Sequence, residues 1–217
     1  MGGAAHSLAA LVRSKVSERT RTDRHLSFWK GLLLSLLTFG IYAFYEFYWM
    51  VKRRDLHVAR FYDLADAFIE WVRLEAQAKK IDIRHELEAL RSAVAMRQPA
   101  RNARLWLLLW LVAGPVVFYA WYFLNDDFLE HERQEEAFYR AAQEALYRLR
   151  ATGRPRPGSC VLTRRIRFFS YFALSLLTLG IFGIYWHYRL VEDANRHFES
   201  NVALEDWLLE AVERGGF

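Results

Sequence analysis

A single cysteine, Cys160, stands among 217 residues, which excludes a disulfide framework and a multi-cysteine zinc site. Four prolines and eleven glycines are too few for a collagen-like or linker-dominated chain, and 53% apolar residues exclude disorder. A mean hydropathy of −0.05 would suit a chain in water, but the average hides segregation. Aromatic residues are abundant, with 16 Phe, 11 Tyr and 8 Trp, and the apolar residues bunch into three blocks between highly charged stretches. That pattern argues for a membrane protein with large aqueous parts.

The formal net charge is +5, and its distribution carries more than its sum. Each apolar block follows a basic stretch: Arg24 and Lys30 precede the first, Arg101 and Arg104 the second, and Arg164, Arg165 and Arg167 the third. Nucleic-acid binding would call for one contiguous basic face with exposed aromatics. Arginines beside apolar blocks point instead to anionic phospholipid headgroups, so a membrane partner is expected and no nucleic acid.

The first block runs from about Leu26 to Val51 with an uncharged core from Gly31 to Tyr45, the second from Leu105 to Leu124, and the third from Phe168 to Trp186. The second and third have the length to cross about 30 Å of hydrocarbon at roughly 1.5 Å per residue. Glu46 interrupts the first. Met1 to Val16 offers only a short, broken apolar stretch, so no export signal is visible, and the Met-Gly start fails the myristoylation pattern at His6.

The blocks are copies of one unit. Leu34-Ser35-Leu36-Leu37-Thr38-Phe39-Gly40-Ile41 recurs as Leu174-Ser175-Leu176-Leu177-Thr178-Leu179-Gly180-Ile181. Counted from the glycine, Tyr returns five and eight places on and His seventeen places on: Gly40, Tyr45, Tyr48 and His57; Gly180, Tyr185, Tyr188 and His197. The middle block keeps the ruler with Gly114, Tyr119, Tyr122 and His131, but has Pro115 after its glycine. The chain divides accordingly into a basic amphipathic segment (1–25) and three repeats (26–98, 99–152 and 153–217), whose membrane elements are 28–51, 105–124 and 168–188.

Thr178-Leu179-Gly180-Ile181-Phe182-Gly183-Ile184-Tyr185-Trp186 resembles the signature of an uncharacterised family of small bacterial membrane proteins, a domain of unknown function of the 4234 type. Thr38-Phe39-Gly40-Ile41-Tyr42 is a weaker copy, and the resemblance covers roughly 28–60 and 168–200. It implies an integral membrane location and no activity; the location expected is the bacterial inner membrane.

Two geometries fit the blocks. Three spanning helices would divide the Lys and Arg residues 15 against 15 between the two sides, so the positive-inside rule gives no orientation. Alternatively, each block enters the leaflet and returns as a re-entrant hairpin with its apex near the central glycine, and Gly114-Pro115 disfavours uninterrupted helix. Turning inside hydrocarbon exposes backbone polar groups, which Thr38 and Thr178 are placed to relieve by bonding a freed carbonyl. The expected fold is an all-α membrane protein of three repeated apolar elements with central Gly breaks, spanning or re-entrant, plus long amphipathic cytoplasmic helices.

Val58, Phe61, Ala65, Phe68 and Val72 share one helical face, on a helix expected to reach about Ala78. Lys79 to Asp82 reads as a break before a stretch from about Ile83 to Met96. Phe138, Ala142, Ala145 and Leu149 form a second stripe, and Trp207, Leu208 and Val212 a third. Such stripes are buried between sister units, on a membrane surface or in a homo-oligomer, and the cytoplasmic helices offer a face to an unidentified protein partner.

His57, His131 and His197 occupy equivalent places, and if the units surround one axis the three imidazoles would converge on a metal ion or an anionic headgroup. The plainer expectation is that each caps local groups or pairs with an aspartate four residues earlier, Asp127 or Asp193. Glu46, lone in its aromatic run, is expected to reach headgroup water, although an acid at membrane depth is a functional candidate. Cys160 lies where palmitoylation occurs. The helical zinc-protease motif, the phosphate loop and the nucleophile elbow are all absent, so no catalytic residue, cofactor or metal is expected. The expected role is a non-enzymatic protein that binds anionic lipid, self-assembles and organises or shapes a membrane; the alternative is a small oligomeric channel or transporter.

Overall fold

The central glycine of each block is where one helix stops and another begins. The computed structural model describes residues 2–152, 154–158, 163 and 165–215, within which there are helices and no strand; Cys160 and Arg164 lie outside the described residues. In the first block α3 (Phe28–Leu37) gives way to α4 (Ile41–Lys79), in the second α6 (Ala103–Val112) to α7 (Val116–Arg148), and in the third α8 (Phe168–Leu177) to α9 (Ile181–Gly215). Before, between and beside them lie α1 (Gly2–Ser17), α2 (Arg19–Thr22) and α5 (Arg84–Ala93).

The first and third turns are built alike. The Gly40 amide donates to Ser35 O at 2.7 Å and the Phe39 amide to Leu36 O, and Gly180 and Leu179 repeat both bonds with Ser175 and Leu176. This is a Schellman closure, which requires left-handed backbone after the helix end. Gly40 and Gly180 supply it at φ 89° and 93° without strain, whereas Phe39 and Leu179 adopt φ 50° and 52° despite carrying a Cβ. Thr38 Oγ1 donates to Leu34 O and accepts from the Tyr42 amide, and Thr178 does the same with Leu174 and Phe182. The threonines thus serve an orphan amide of the next helix; the carbonyl each bonds already accepts the threonine's own amide.

Each short helix folds back on the long one. Across the first turn Gly31 meets Glu46, across the second the Trp106 and Phe123 rings lie 4.5 Å apart, and across the third Tyr171 and Phe182 lie 5.0 Å apart. The three hairpins pack side by side: Phe44 of the first lies against Trp110 of the second, Phe118 of the second against Trp186 of the third, and Tyr188 of the third against Phe28 of the first. Because these partners lie at comparable distances from their own turns, the three apices share one end of the molecule.

No helix among the described residues is long and apolar enough to cross a membrane. The second and third blocks have that length only when counted through their turns, and the break at Gly114 or Gly180 halves them. Each break leads into a long helix of 39, 33 or 35 residues whose later turns are charged.

Past the hairpins α4, α7 and α9 continue as a bundle joined by α1 and α5. All three stripes are buried there in one core, with Phe61, Phe68, Trp71, Phe138, Leu146, Leu208 and Val212 at its centre. Each such side chain contributes about 1.5–3 kcal/mol on burial, so packing between units is what covers the stripes. Val12 and Val16 attach α1 to the same core. The helix expected to end near Ala78 ends at Lys79, closed by Lys80 in the left-handed region; the following stretch is helical over Arg84–Ala93, shorter than the expected 83–96.

Candidate functional site

Two large apolar cores stack along the bundle, one beneath the apices and one along the later turns of the long helices, and a layer of buried polar side chains separates them. α4 contributes Arg53, Arg54 and His57, α7 contributes Asn125, Asp127, His131, Glu132 and Glu135, and α9 contributes Asp193, Asn195, His197, Asn201 and Glu205. The repeat explains the layer: the same interval after each glycine lands on the same height of three packed helices.

At its centre the three histidines meet. His57 Nε2 lies 3.0 Å from His197 Nε2, and the ring centroids of the three imidazoles are 5.0–5.7 Å apart. Glu135, one turn beyond His131 on the same face of α7, completes the group: Oε1 is 3.1 Å from His131 Nε2 and 3.5 Å from His57 Nε2, and Oε2 is 3.4 Å from His197 Nε2. All four side chains are at most 1% exposed.

A second ring of groups orients the first. His57 Nδ1 lies 3.0 Å from Asp23 Oδ1, while Arg60 donates to Asp23 Oδ2 at 2.7 Å and pairs with Glu205. Asn201 Nδ2 donates to both Glu135 oxygens at 2.9 Å. His197 Nδ1 lies 3.3 Å from Glu132, whose carboxylate accepts from the amide and hydroxyl of Thr163. The Asp23 acceptor holds a proton on His57 Nδ1, whereas His197 Nδ1 makes no hydrogen bond among the described residues and its Nε2 lies 3.3 Å from Asn201 Nδ2.

The electrostatics reflect dense burial. Burial works against charge on His57, yet Asp23 and Glu135 raise it to about 9. On His131 burial wins and holds it down at about 4. Burial also opposes ionisation of Glu135, but the imidazoles of His131 and His197 hold it well below the ordinary carboxylate range. Burial raises Glu205 to about 7 in spite of Arg60.

Several expected placements change. The histidines do not pair with the aspartates four residues before them, because bidentate guanidinium partners take those carboxylates: Arg101 grips Asp127 at 2.6 and 2.7 Å, and Arg189 grips Asp193. Nor does each histidine act locally, since each reaches across to another unit. Glu46 does not reach headgroup water; at 3% exposure it packs on Gly31 and lies 3.6 Å from His187 Nε2.

The remaining motif residues lie on the hairpins. Tyr45, Tyr119, Tyr185 and Tyr188 are exposed, Tyr48 and Tyr122 half-buried, and Gly114 and Pro115 form the middle turn. Lys30, Arg104, Arg165 and Arg167 are exposed near the hairpin bases, Arg24 stacks on Trp49, and Arg101 is held by Asp127.

Residues 167–209 match the family model described as Domain of unknown function (DUF4234). The DUF4234 match starts at the base of the third hairpin, passes Thr178 and Gly180 at its turn, and runs along α9 through Tyr185, Tyr188 and His197. The match supports a DUF4234-type family for the third unit. No curated protein and no solved structure matches the chain.

Sequence reasoning left out Glu135, Asp23, Glu132 and Asn201. For Glu135 a signal existed: a carboxylate four residues after His131 shares its helical face. The same four-residue interval places Asn201 on the His197 face of α9, whereas Asp23 follows α2 at a distance from the histidines that no spacing encodes.

Proposed function

We propose that the chain is a non-enzymatic membrane protein that inserts its three hairpin apices into one leaflet, binds anionic lipid at their bases and holds the long helices on the cytoplasmic side of the bacterial inner membrane. The observation that carries this reading is the crown of exposed apolar side chains at one end: Phe39 is 99% exposed, Leu179 95%, Leu177 81% and Val112 80%. Contiguous exposed apolar surface of this kind is rare on a protein surrounded by water.

The dimensions agree. Each short arm has 10 residues and so measures about 15 Å, half of a hydrocarbon core about 30 Å thick. Lys30, Arg104 and Arg167 stand at the lower ends of the three arms, where long basic side chains reach phosphate. Trp29 and the exposed tyrosines suit the headgroup level. At the first turn every backbone amide from Thr38 to Ala43 has an acceptor, which lowers the cost of placing it in hydrocarbon. Insertion of three wedges into a single leaflet favours curvature, which is the route to membrane shaping, and self-association would multiply it.

Flotation with vesicles tests the reading. Full-length protein should float with phosphatidylglycerol-containing vesicles, float less with pure phosphatidylcholine, and deform the anionic vesicles at high coverage. Phe39→Asp and Leu179→Asp together should abolish flotation without changing the helical circular-dichroism spectrum. Undiminished flotation of that variant, or recovery of the wild type as a detergent-free monomer in the soluble cell fraction, would refute insertion.

A further inference from the structure

We propose that His57, His131, His197 and Glu135 bind one divalent transition-metal ion, with Zn²⁺ the best match, in a closed site that ties α4, α7 and α9 together. The site does not depend on membrane insertion.

Distances come first. Tetrahedral ligands about 2.0–2.1 Å from a metal stand about 3.3–3.4 Å from one another. His57 Nε2 and His197 Nε2 stand 3.0 Å apart, Glu135 Oε1 lies 3.1 and 3.5 Å from His131 and His57, and its Oε2 3.4 Å from His197, all near that edge. One ligand atom from each residue falls within 4.8 Å of the others, so the widest pair closes in on a bound ion.

Hydrogen bonding alone leaves the cluster incomplete. Among the described residues neither His131 nitrogen has a hydrogen-bond partner although the side chain is fully buried, because Glu135 Oε1 lies close to Nε2 but off its donor direction. A buried nitrogen without a partner is costly, and such atoms are uncommon in folded proteins. Coordination through Nε2 would satisfy one of the two. A cation there would take the place of the proton that His57 Nε2 and His197 Nε2, 3.0 Å apart, otherwise share.

The surrounding groups are those that metal-bound histidines and carboxylates use. Asp23 fixes the His57 ring through Nδ1, Glu132 stands beside His197 Nδ1, and Asn201 donates to both oxygens of Glu135. The donor set of three imidazoles and one carboxylate lacks thiolate, which excludes Cu⁺ and iron–sulfur clusters, and is too rich in nitrogen for Ca²⁺ or Mg²⁺. Four protein ligands with no exposed face make the site a structural one rather than a catalytic one that keeps a position open. Its place fits that role: the ligands join one helix from each repeat at the seam between the two cores, so metal binding and assembly of the units are coupled.

The test uses tag-free full-length protein in detergent, stripped with a chelator and then dialysed against Zn²⁺, Co²⁺, Mn²⁺, Fe²⁺, Ni²⁺ or Cu²⁺ in turn. Elemental analysis should find one ion per chain, X-ray absorption a shell of nitrogen and oxygen without sulfur, and the stripped protein should melt lower than the loaded one. Glu135→Ala and His131→Ala should lose the ion. Asp23→Asn should weaken apparent affinity about 10- to 100-fold while leaving all four ligands in place. Should the ligand variants fail to fold, the wild type decides alone, through stoichiometry, the Co²⁺ electronic spectrum and the melting shift. No bound ion from any of the six, or an ion retained in folded Glu135→Ala or His131→Ala, overturns the proposal.

Discussion

His57 Nε2 and His197 Nε2 stand 3.0 Å apart although 140 residues separate them in the chain. They hold the same place in the first and third units, so their meeting is a direct product of packing one repeat against another. The third equivalent, His131, faces them with both nitrogens lacking hydrogen bonds among the described residues. Its replacement should therefore act in opposite directions on the stripped and the loaded protein. His131→Leu removes a buried unsatisfied group, so metal-free protein should gain up to about 2 kcal/mol. The same variant should lose the upward melting shift that Zn²⁺ confers on the wild type. Thermal melts with and without chelator check both signs, and a large loss of stability in the chelated variant would show that His131 is bonded in the native state.

Phe39 and Leu179 place side chains at left-handed φ with almost no protein contact. Glycine at either position relieves strain of about 1 kcal/mol. Phe39→Gly and Leu179→Gly should therefore melt higher in detergent yet float less well with anionic vesicles. A variant that is both less stable and equally well bound would mean that the apex side chains pack on protein and do not meet lipid.

The breaks at Gly40 and Gly180 could be read from the sequence because a helix end followed by left-handed backbone demands glycine, and the stripes of α4 and α7 because burial imposes a 3.6-residue period. Hairpins could be reached only as one of two geometries, since an apolar run does not reveal whether the chain reverses. The site was harder. The three equivalent histidines were visible, but Asp127 and Asp193 on their own helical faces competed as partners until Arg101 and Arg189 were seen to occupy them. Glu46 defied expectation because its burial depends on a missing Cβ fifteen residues away, at Gly31.

That missing Cβ makes two kinds of glycine separable by mutation. A Cβ on Gly31 would lie 2.5 Å from the Glu46 carboxyl carbon, a clash with a buried group, whereas one on Gly40 would meet nothing within 4 Å but would sit at φ 89°. Gly31→Ala should cost about 1–3 kcal/mol through overpacking, and Glu46→Ala in the same chain should recover most of it. Gly40→Ala should cost about 1 kcal/mol through the backbone, with no rescue from Glu46→Ala. Double-mutant cycles on thermal or denaturant unfolding measure the difference; equal rescue of both would remove the steric explanation.

Glu46 and His187, 3.6 Å apart, are shifted in opposite directions by burial, the acid up to about 7 and the imidazole down to about 4. Arg53, itself buried with its pKa lowered to about 9, lowers both and stays charged across this range, and Tyr42 lies close to Glu46 on the same helix. Folded Glu46 keeps its proton to about 7 whereas the unfolded chain releases it near 4.5, so its stabilisation is full below 4.5 and is lost as pH rises to 7. Folded His187 stays neutral down to about 4 whereas the unfolded chain protonates below 6.5, so its stabilisation is full above 6.5 and is lost as pH falls to 4. Between 4.5 and 6.5 the two slopes cancel, and the pair adds almost no pH dependence to the wild type. Each single variant exposes the slope that its partner concealed. Relative to wild type, Glu46→Gln should gain stability as pH rises from 4.5 to 7, by roughly 2–3 kcal/mol across the window at about 1.4 kcal/mol per pKa unit. His187→Gln should lose stability relative to wild type as pH rises from 4 to 6.5, and the double variant should again run parallel to wild type. Melting temperatures of the four proteins at half-unit pH steps decide it: parallel curves for both single variants would mean that neither shift exists.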